Sequence, residues 1–294
     1  MVPAPAPWRF EAIGTGWQIT TENEVSPGDR ATVSTLIDAY DAVYSRFRAD
    51  SLVRGFAQTG GSVDLGAHWP DLWDTYVDLE DLTAGAVTPL VGRALETLGY
   101  DAAYSLIPSG IPGPVPALGD TLRSVGTVVT TTEPVLLDVG AVGKGQLVDL
   151  VVGLLMARGY TALTVDAGGD IRHAGSSGLR VALEHPFDPT RAIGVIELAG
   201  SGPRGAIAGS ATNRRAWGEG LHHVLDGRTG KPVDSIVATW AIGESALIAD
   251  AAATALFFAG PEAVATRLDV DWVRMFTNGR VEFSRTLPGE VFIA

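Results

Sequence analysis

Asp250 and Thr254 stand four residues apart in the run ALIADAAATALFFA, so on a helix they share one face. The run is otherwise apolar nearly all round, which predicts a helix over 246–259, capped by Ser245 and buried on most sides. A buried carboxylate is costly unless it is paired or metal-bound, and Asp and Thr oxygens are hard donors of the kind Mg²⁺ accepts. A hydrogen bond from a neighbouring loop would satisfy the same carboxylate. Upstream, LLDVGAVGKG at 136–145 sets Lys144 among three glycines and runs into the amphipathic QLVDLVVGLLMARG. This predicts the end of a buried strand, a tight turn and a helix, with turn N–H groups free to meet an anion at the positive end of the helix dipole. It is not a Walker A loop, because Gly145-Gln146 follows the Gly-Lys pair, where Ser or Thr is required. A third candidate is the loop HHVLDGRTGKPV. His222 and His223 are adjacent, so in extended chain only one can point at a given site.

The remaining pattern supplies elements to position these groups. FEAIGTGWQITTE reads as a strand interrupted at Gly14-Thr15-Gly16, and Ser26-Pro27 opens a helix over 27–46 with Phe47 at its end. Pro70 begins a second helix, with Leu72, Trp73, Tyr76, Val77 and Leu79 inward, and Pro89 a third, closed by Gly99. The break between them, 83–88, is small and polar and suits either backbone contact with a ligand or an ordinary connection. The Pro/Gly-rich stretch 105–120 carries no periodicity and no evident chemistry. A strand at 127–131, the central helix and the stretch TALTVDAGGDIRHAG read as a strand–helix–strand unit. Strands around a turn at FDPT follow, and Asn278-Gly279 marks a late hairpin.

Composition limits the chemistry. The chain has 294 residues and a formal net charge of −13, which argues against nucleic acid or an anionic membrane as partner and obliges any anionic ligand to find local cations or amides. With no cysteine there is neither a disulfide framework nor a thiolate site. No stretch is apolar and long enough for a transmembrane span, and MVPAPAPW shows no signal peptide, so a cytoplasmic location is the default expectation, extracytoplasmic if a leader has been trimmed.

Taken together, AIGTGW, YSRFRADS, TAGAVTPLVG, LLDVGAVGKG, VDAGGDIRHAG, HHVLDGRTGKPV and ALIADAAATALFF occur in an order that resembles the ApbE family, the FAD:protein FMN transferases. The resemblance covers the whole chain. It implies an α+β fold, T-fold-related, with mixed sheets and packed helices in one compact domain over 1–294. It also implies an activity: Mg²⁺-dependent transfer of FMN from FAD to a threonine hydroxyl of an acceptor flavoprotein, such as the FMN-binding domain of an electron-transfer complex or reductase, with release of AMP. By position, the family's metal ligands fall on the Asp250 and Thr254 side chains and the Ala141 carbonyl. Its flavin-nucleotide contacts fall on Ile13, Phe47, Ala86, Val87, Thr88, Asp138, Lys144 and Val224. His223 matches the loop histidine expected to act as base, and Asp250 counts with it as catalytic. The chain departs from the family pattern at Gln146, at Gly209-Ser210-Ala211 in place of Thr-Ser-Gly, and at Gly227 in place of Pro. Those departures keep two alternatives in play, an FAD pyrophosphatase and a non-catalytic FAD-binding protein.

Overall fold

Eight strands form one antiparallel sheet in which spatial order follows chain order: Trp8–Ala12, Thr15–Thr21, Leu163–Ala167, Asp170–Ala174, Ala206–Ala211, Ile236–Gly243, Asp271–Phe276 and Val281–Phe283. This computed structural model describes residues 6–200 and 202–292; the lead Met1 to Pro5, on which the expectation about location partly rests, lies outside them. Among the described residues, no helix is long and apolar enough to cross a membrane.

The sheet is covered on both faces, which explains why every residue of Ile236–Gly243 is buried. Side chains alternate across it. Ala206, Ala208 and Ala241 face the helices, whereas Ile207, Trp240 and Ile242 face a second, three-stranded sheet of Leu179–His185, Asp188–Leu198 and Gly289–Val291. Small residues on the helix side let the alanine helix, Ala246–Ala255, lie close to the strands. There the Thr239 hydroxyl donates to the Ala253 carbonyl at 2.6 Å. The central helix, Gly143–Ala157, packs alongside, and Pro27–Tyr44 and Trp69–Thr83 complete that layer.

Several local expectations hold for the reasons that suggested them. Ser26 caps the first long helix by accepting from Asp29 N, Ser245 caps the alanine helix by accepting from Ile248 N, and Gly279 (φ 83) closes the last hairpin. Others need correcting. Leu136 and Leu137 are buried, but the segment 136–138 is not a strand. The strand–helix–strand unit therefore dissolves: Val128–Thr131 belongs to a separate three-stranded sheet, with Gly61–Asp64 and Arg123–Val125. VDAGGD is not one strand end but a hairpin turning at Gly168-Gly169. The interruption at Gly14 is likewise a two-residue hairpin turn, Ile13-Gly14, with both φ positive as a type I′ turn requires. The turn at FDPT is tighter than expected, because Asp188 already belongs to the second strand. The alanine helix stops at Ala255, and Val77 lies 45 % exposed rather than inward.

Candidate active site

Residues of the helix layer, the main sheet and the second sheet together line a cavity of about 1020 Å³. Its wall includes Ile13, Phe47, Ala86, Val87, Thr88, Asp138, Ala141, Lys144, His223, Val224, Asp250 and Thr254, so every residue to which the family resemblance gives a role borders one space. The elements delivering them are far apart in the chain, and only the fold joins them.

The polar end is built where the central and alanine helices cross. A Cβ on Gly145 would overlap the Ala246 carbonyl oxygen and come within 2.8 Å of the Asp250 Cβ. Here glycine serves close helix–helix approach, not a left-handed turn. That approach lets the Gly145 N–H donate to Asp250 Oδ2 at 3.0 Å. Other N–H groups of the turn are also committed, Gly140 to the Asp138 side chain and Gly143 to the Val139 carbonyl. The open amide cradle expected from the glycines is therefore largely filled by the protein itself. Thr254 Oγ1 points at the Ala141 carbonyl oxygen, 3.5 Å away, which brings the three expected oxygen donors to one corner.

Lys144 does not stand free beside the cavity. It forms an ion pair with Asp170, a fully buried carboxylate at the end of the Gly168-Gly169 turn. Burial alone would lower the lysine's proton affinity, but the charges of Asp170 and Asp250 outweigh it and raise the pKa. Asp250 is 3 % exposed, and burial, reinforced by the like charge of Asp170, drives its pKa well up despite Lys144 and the Gly145 amide. The corner thus compensates an ionised Asp250 only in part.

A hard divalent cation fits this donor set: one under-compensated carboxylate, a hydroxyl and a main-chain carbonyl. Among the described residues no three His, Cys, Asp or Glu side chains converge, so Mg²⁺ held here would also draw on oxygens of the bound ligand.

Along the next wall, Asp138 is engaged on both oxygens, by Arg46 Nε at 2.5 Å and by Gly140 N. Arg46 lies 2 % exposed, over Phe47 at 4.1 Å from the ring centroid, and its Nη1 donates to the Tyr100 carbonyl at 2.7 Å. Phe47 also stacks with Tyr104. The Thr83–Thr88 break is closed by Thr83 Oγ1, which accepts from Val87 N at 3.0 Å, while Gly227 N donates to the Ala86 carbonyl at 2.9 Å. A Cβ at 227 would lie 2.8 Å from the Gly85 carbonyl, so glycine lets the histidine loop abut this segment. The adjacent histidines do face apart. His222 is fully used, Nε2 at 2.8 Å from the Val233 carbonyl and Nδ1 accepting from Val224 N. His223 turns to the cavity, with Nδ1 buried and unpartnered among the described residues. Burial, with the neighbouring Arg215 charge, pushes its pKa down to about 4, so the ring is neutral and has a free lone pair at pH 7.

Sequence reasoning passed over Arg46, Asp170 and Tyr104. Arg46 and Asp170 were legible as charged residues beside Phe47 and after two glycines. Tyr104 had no signal, because the segment around it carries no periodicity.

The sequence pattern of the ApbE family matches residues 13–273. A Rhodobacter capsulatus FAD:protein FMN transferase is 31% identical over 216 residues, 67% of this chain but 38% of that protein, so the chain spans under two fifths of that relative. The Escherichia coli K12 FAD:protein FMN transferase is 26% identical over 276 residues, covering 86% of this chain and 78% of that one. Among solved structures, the ApbE protein of Thermotoga maritima superposes with a TM-score of 0.81 at 22% identity, over 96% of this chain and 97% of that one. The flavin transferase ApbE of Vibrio cholerae gives 0.77 at 20% identity, over 97% and 98%. The α+β architecture is theirs, and the match across nearly the whole described chain makes this protein a member of the ApbE family.

Proposed function

We propose that the protein transfers FMN from FAD to a threonine hydroxyl of an acceptor flavoprotein, releasing AMP. The supporting observation is the cavity itself, in which a buried oxygen corner, a neutral histidine and an aromatic wall border one continuous space. Its volume sits at the upper end for small-molecule sites, as a dinucleotide requires. Asp250, Thr254 and the Ala141 carbonyl would hold Mg²⁺. Bound there, the cation would supply positive charge against the charge developing on the pyrophosphate. His223 takes the proton of the acceptor threonine as its oxygen attacks the FMN phosphorus, the phosphoanhydride bond breaks, and AMP leaves with the bonding electrons. Ile13, Phe47, Ala86, Val87, Thr88 and Val224 hold the nucleotide. Asp138, locked to Arg46, and Lys144, locked to Asp170, keep that wall in one conformation.

The test is incubation with FAD, Mg²⁺ and a flavoprotein acceptor domain, reading AMP and protein-bound flavin fluorescence on a denaturing gel. Labelled acceptor with equimolar AMP is expected. AMP without label would make the protein an FAD pyrophosphatase, and bound FAD without AMP would make it a binding protein.

A further inference from the structure

Tyr104 holds its ring nearly parallel to Phe47, 11° apart with centroids separated by 5.0 Å, at the wall of the cavity. Its backbone is left-handed (φ 51), as is that of Leu106 (φ 54), a conformation that residues with side chains adopt rarely and that clusters at ligand clamps. The residue remains 49 % exposed, so burial of apolar area does not account for its position. Beside the stack, Arg46 is pinned by Asp138 and the Tyr100 carbonyl, yet its Nη2 is buried with no hydrogen-bond partner among the described residues. Folded proteins seldom leave such a donor unmet. Asp138 already balances the guanidinium charge, so a neutral carbonyl oxygen or ring nitrogen suits Nη2 better than a phosphate oxygen.

One kind of ligand group answers all of these features: a flat heteroaromatic ring that offers a π-face to the aromatic side chains and an acceptor at its edge. We propose that Phe47 and Tyr104 are two jaws that part to admit such a ring, and that Arg46 Nη2 then donates to the ring's edge. This rests on the flavin-nucleotide reading above and adds Tyr104 as the residue that closes over the ring. Isoalloxazine and adenine both carry suitable acceptors, and the two halves of the dinucleotide tell them apart.

FAD, FMN and AMP are each titrated by calorimetry against the wild-type chain, Tyr104→Ala and Tyr104→Phe, with thermal unfolding followed in parallel. Tyr104→Ala should weaken FAD about tenfold, a typical loss for one stacked ring. It should weaken only one fragment, FMN if the jaws take isoalloxazine and AMP if they take adenine. Tyr104→Phe should bind as wild type, and no unfolding midpoint should move. Unchanged or tighter binding by Tyr104→Ala overturns the clamp. So does equal weakening of both fragments together with a lowered midpoint, which marks a structural role. A wild-type protein that binds none of the three overturns the flavin-nucleotide reading, and the clamp with it. Wild-type binding with an unaffected Tyr104→Ala overturns the clamp alone.

Discussion

Asp250 and Asp271 are both 3 % exposed, yet their surroundings treat them oppositely. Asp271 takes Arg204 Nε at 2.8 Å on one oxygen, and Ser284 Oγ at 2.8 Å and Thr286 Oγ1 at 2.5 Å on the other. Burial alone would raise its pKa, but these three bonds outweigh burial and hold it down. Asp250 receives one backbone N–H and faces Asp170, so burial prevails and its pKa is driven up. A satisfied buried carboxylate fastens two elements together. One with few partners at a cavity wall is held toward its neutral form until something that binds there compensates it.

The largest expected effect breaks this contrast directly. Asp250→Asn should abolish Mg²⁺-dependent transfer while leaving the unfolding midpoint unchanged or higher, because the like-charge contact with Asp170 is relieved. Asp271→Ala should lose about 2 kcal/mol of stability by leaving Arg204 Nε and the Ser284 and Thr286 hydroxyls without their shared acceptor, with transfer per folded molecule intact. Calorimetric melting beside the gel assay checks both, and a matching loss of stability in the two variants would erase the distinction.

A second contrast lies within one dipeptide. His223→Ala should slow transfer by about 10²- to 10⁴-fold with little change in FAD affinity, whereas His222, tied at both nitrogens, serves the loop's shape. A base acts in its neutral form, which for His223 predominates above pH 4 or so. The acid limb of kcat/KM should therefore descend toward about pH 4, not toward the ordinary histidine value of 6.5. A limb centred near 6.5 would remove His223 as the base.

The smallest effect concerns backbone strain. Ile13 is a β-branched residue at φ 44, bordering the cavity. Ile13→Asn should raise stability by about 1 kcal/mol, since asparagine tolerates the left-handed region better. It should also weaken FAD binding by roughly 1 kcal/mol through lost apolar contact. Tighter binding in the more stable variant would show that Ile13 serves the turn and not the ligand.

Much of the site is readable in the chain because its chemistry depends on local spacing. The i, i+4 relation of Asp250 and Thr254 survives in a real helix, and the adjacency of His222 and His223 forces them apart wherever the loop sits. Helix starts at Ser26 and Ser245 were equally local, since a cap bonds within its own first turn. What misled was tertiary. The segment 136–138 has a strand's hydrophobicity but finds no edge to pair with, and the glycines of 140–145 proved to serve packing rather than an open amide cradle.

By itself the sequence determined which residues carry oxygens, charge and a titratable ring, and the order in which they occur. The tertiary structure decided their partners: Lys144 to Asp170, Asp138 to Arg46, Asp250 to the amide of Gly145, and Tyr104 over Phe47. Each of those pairs spans tens of residues, and the Gly145 amide reaches Asp250 across more than a hundred. No periodicity encodes such distances. They follow from an antiparallel sheet covered on both faces, which leaves a buried charge no partner but what the neighbouring layer offers.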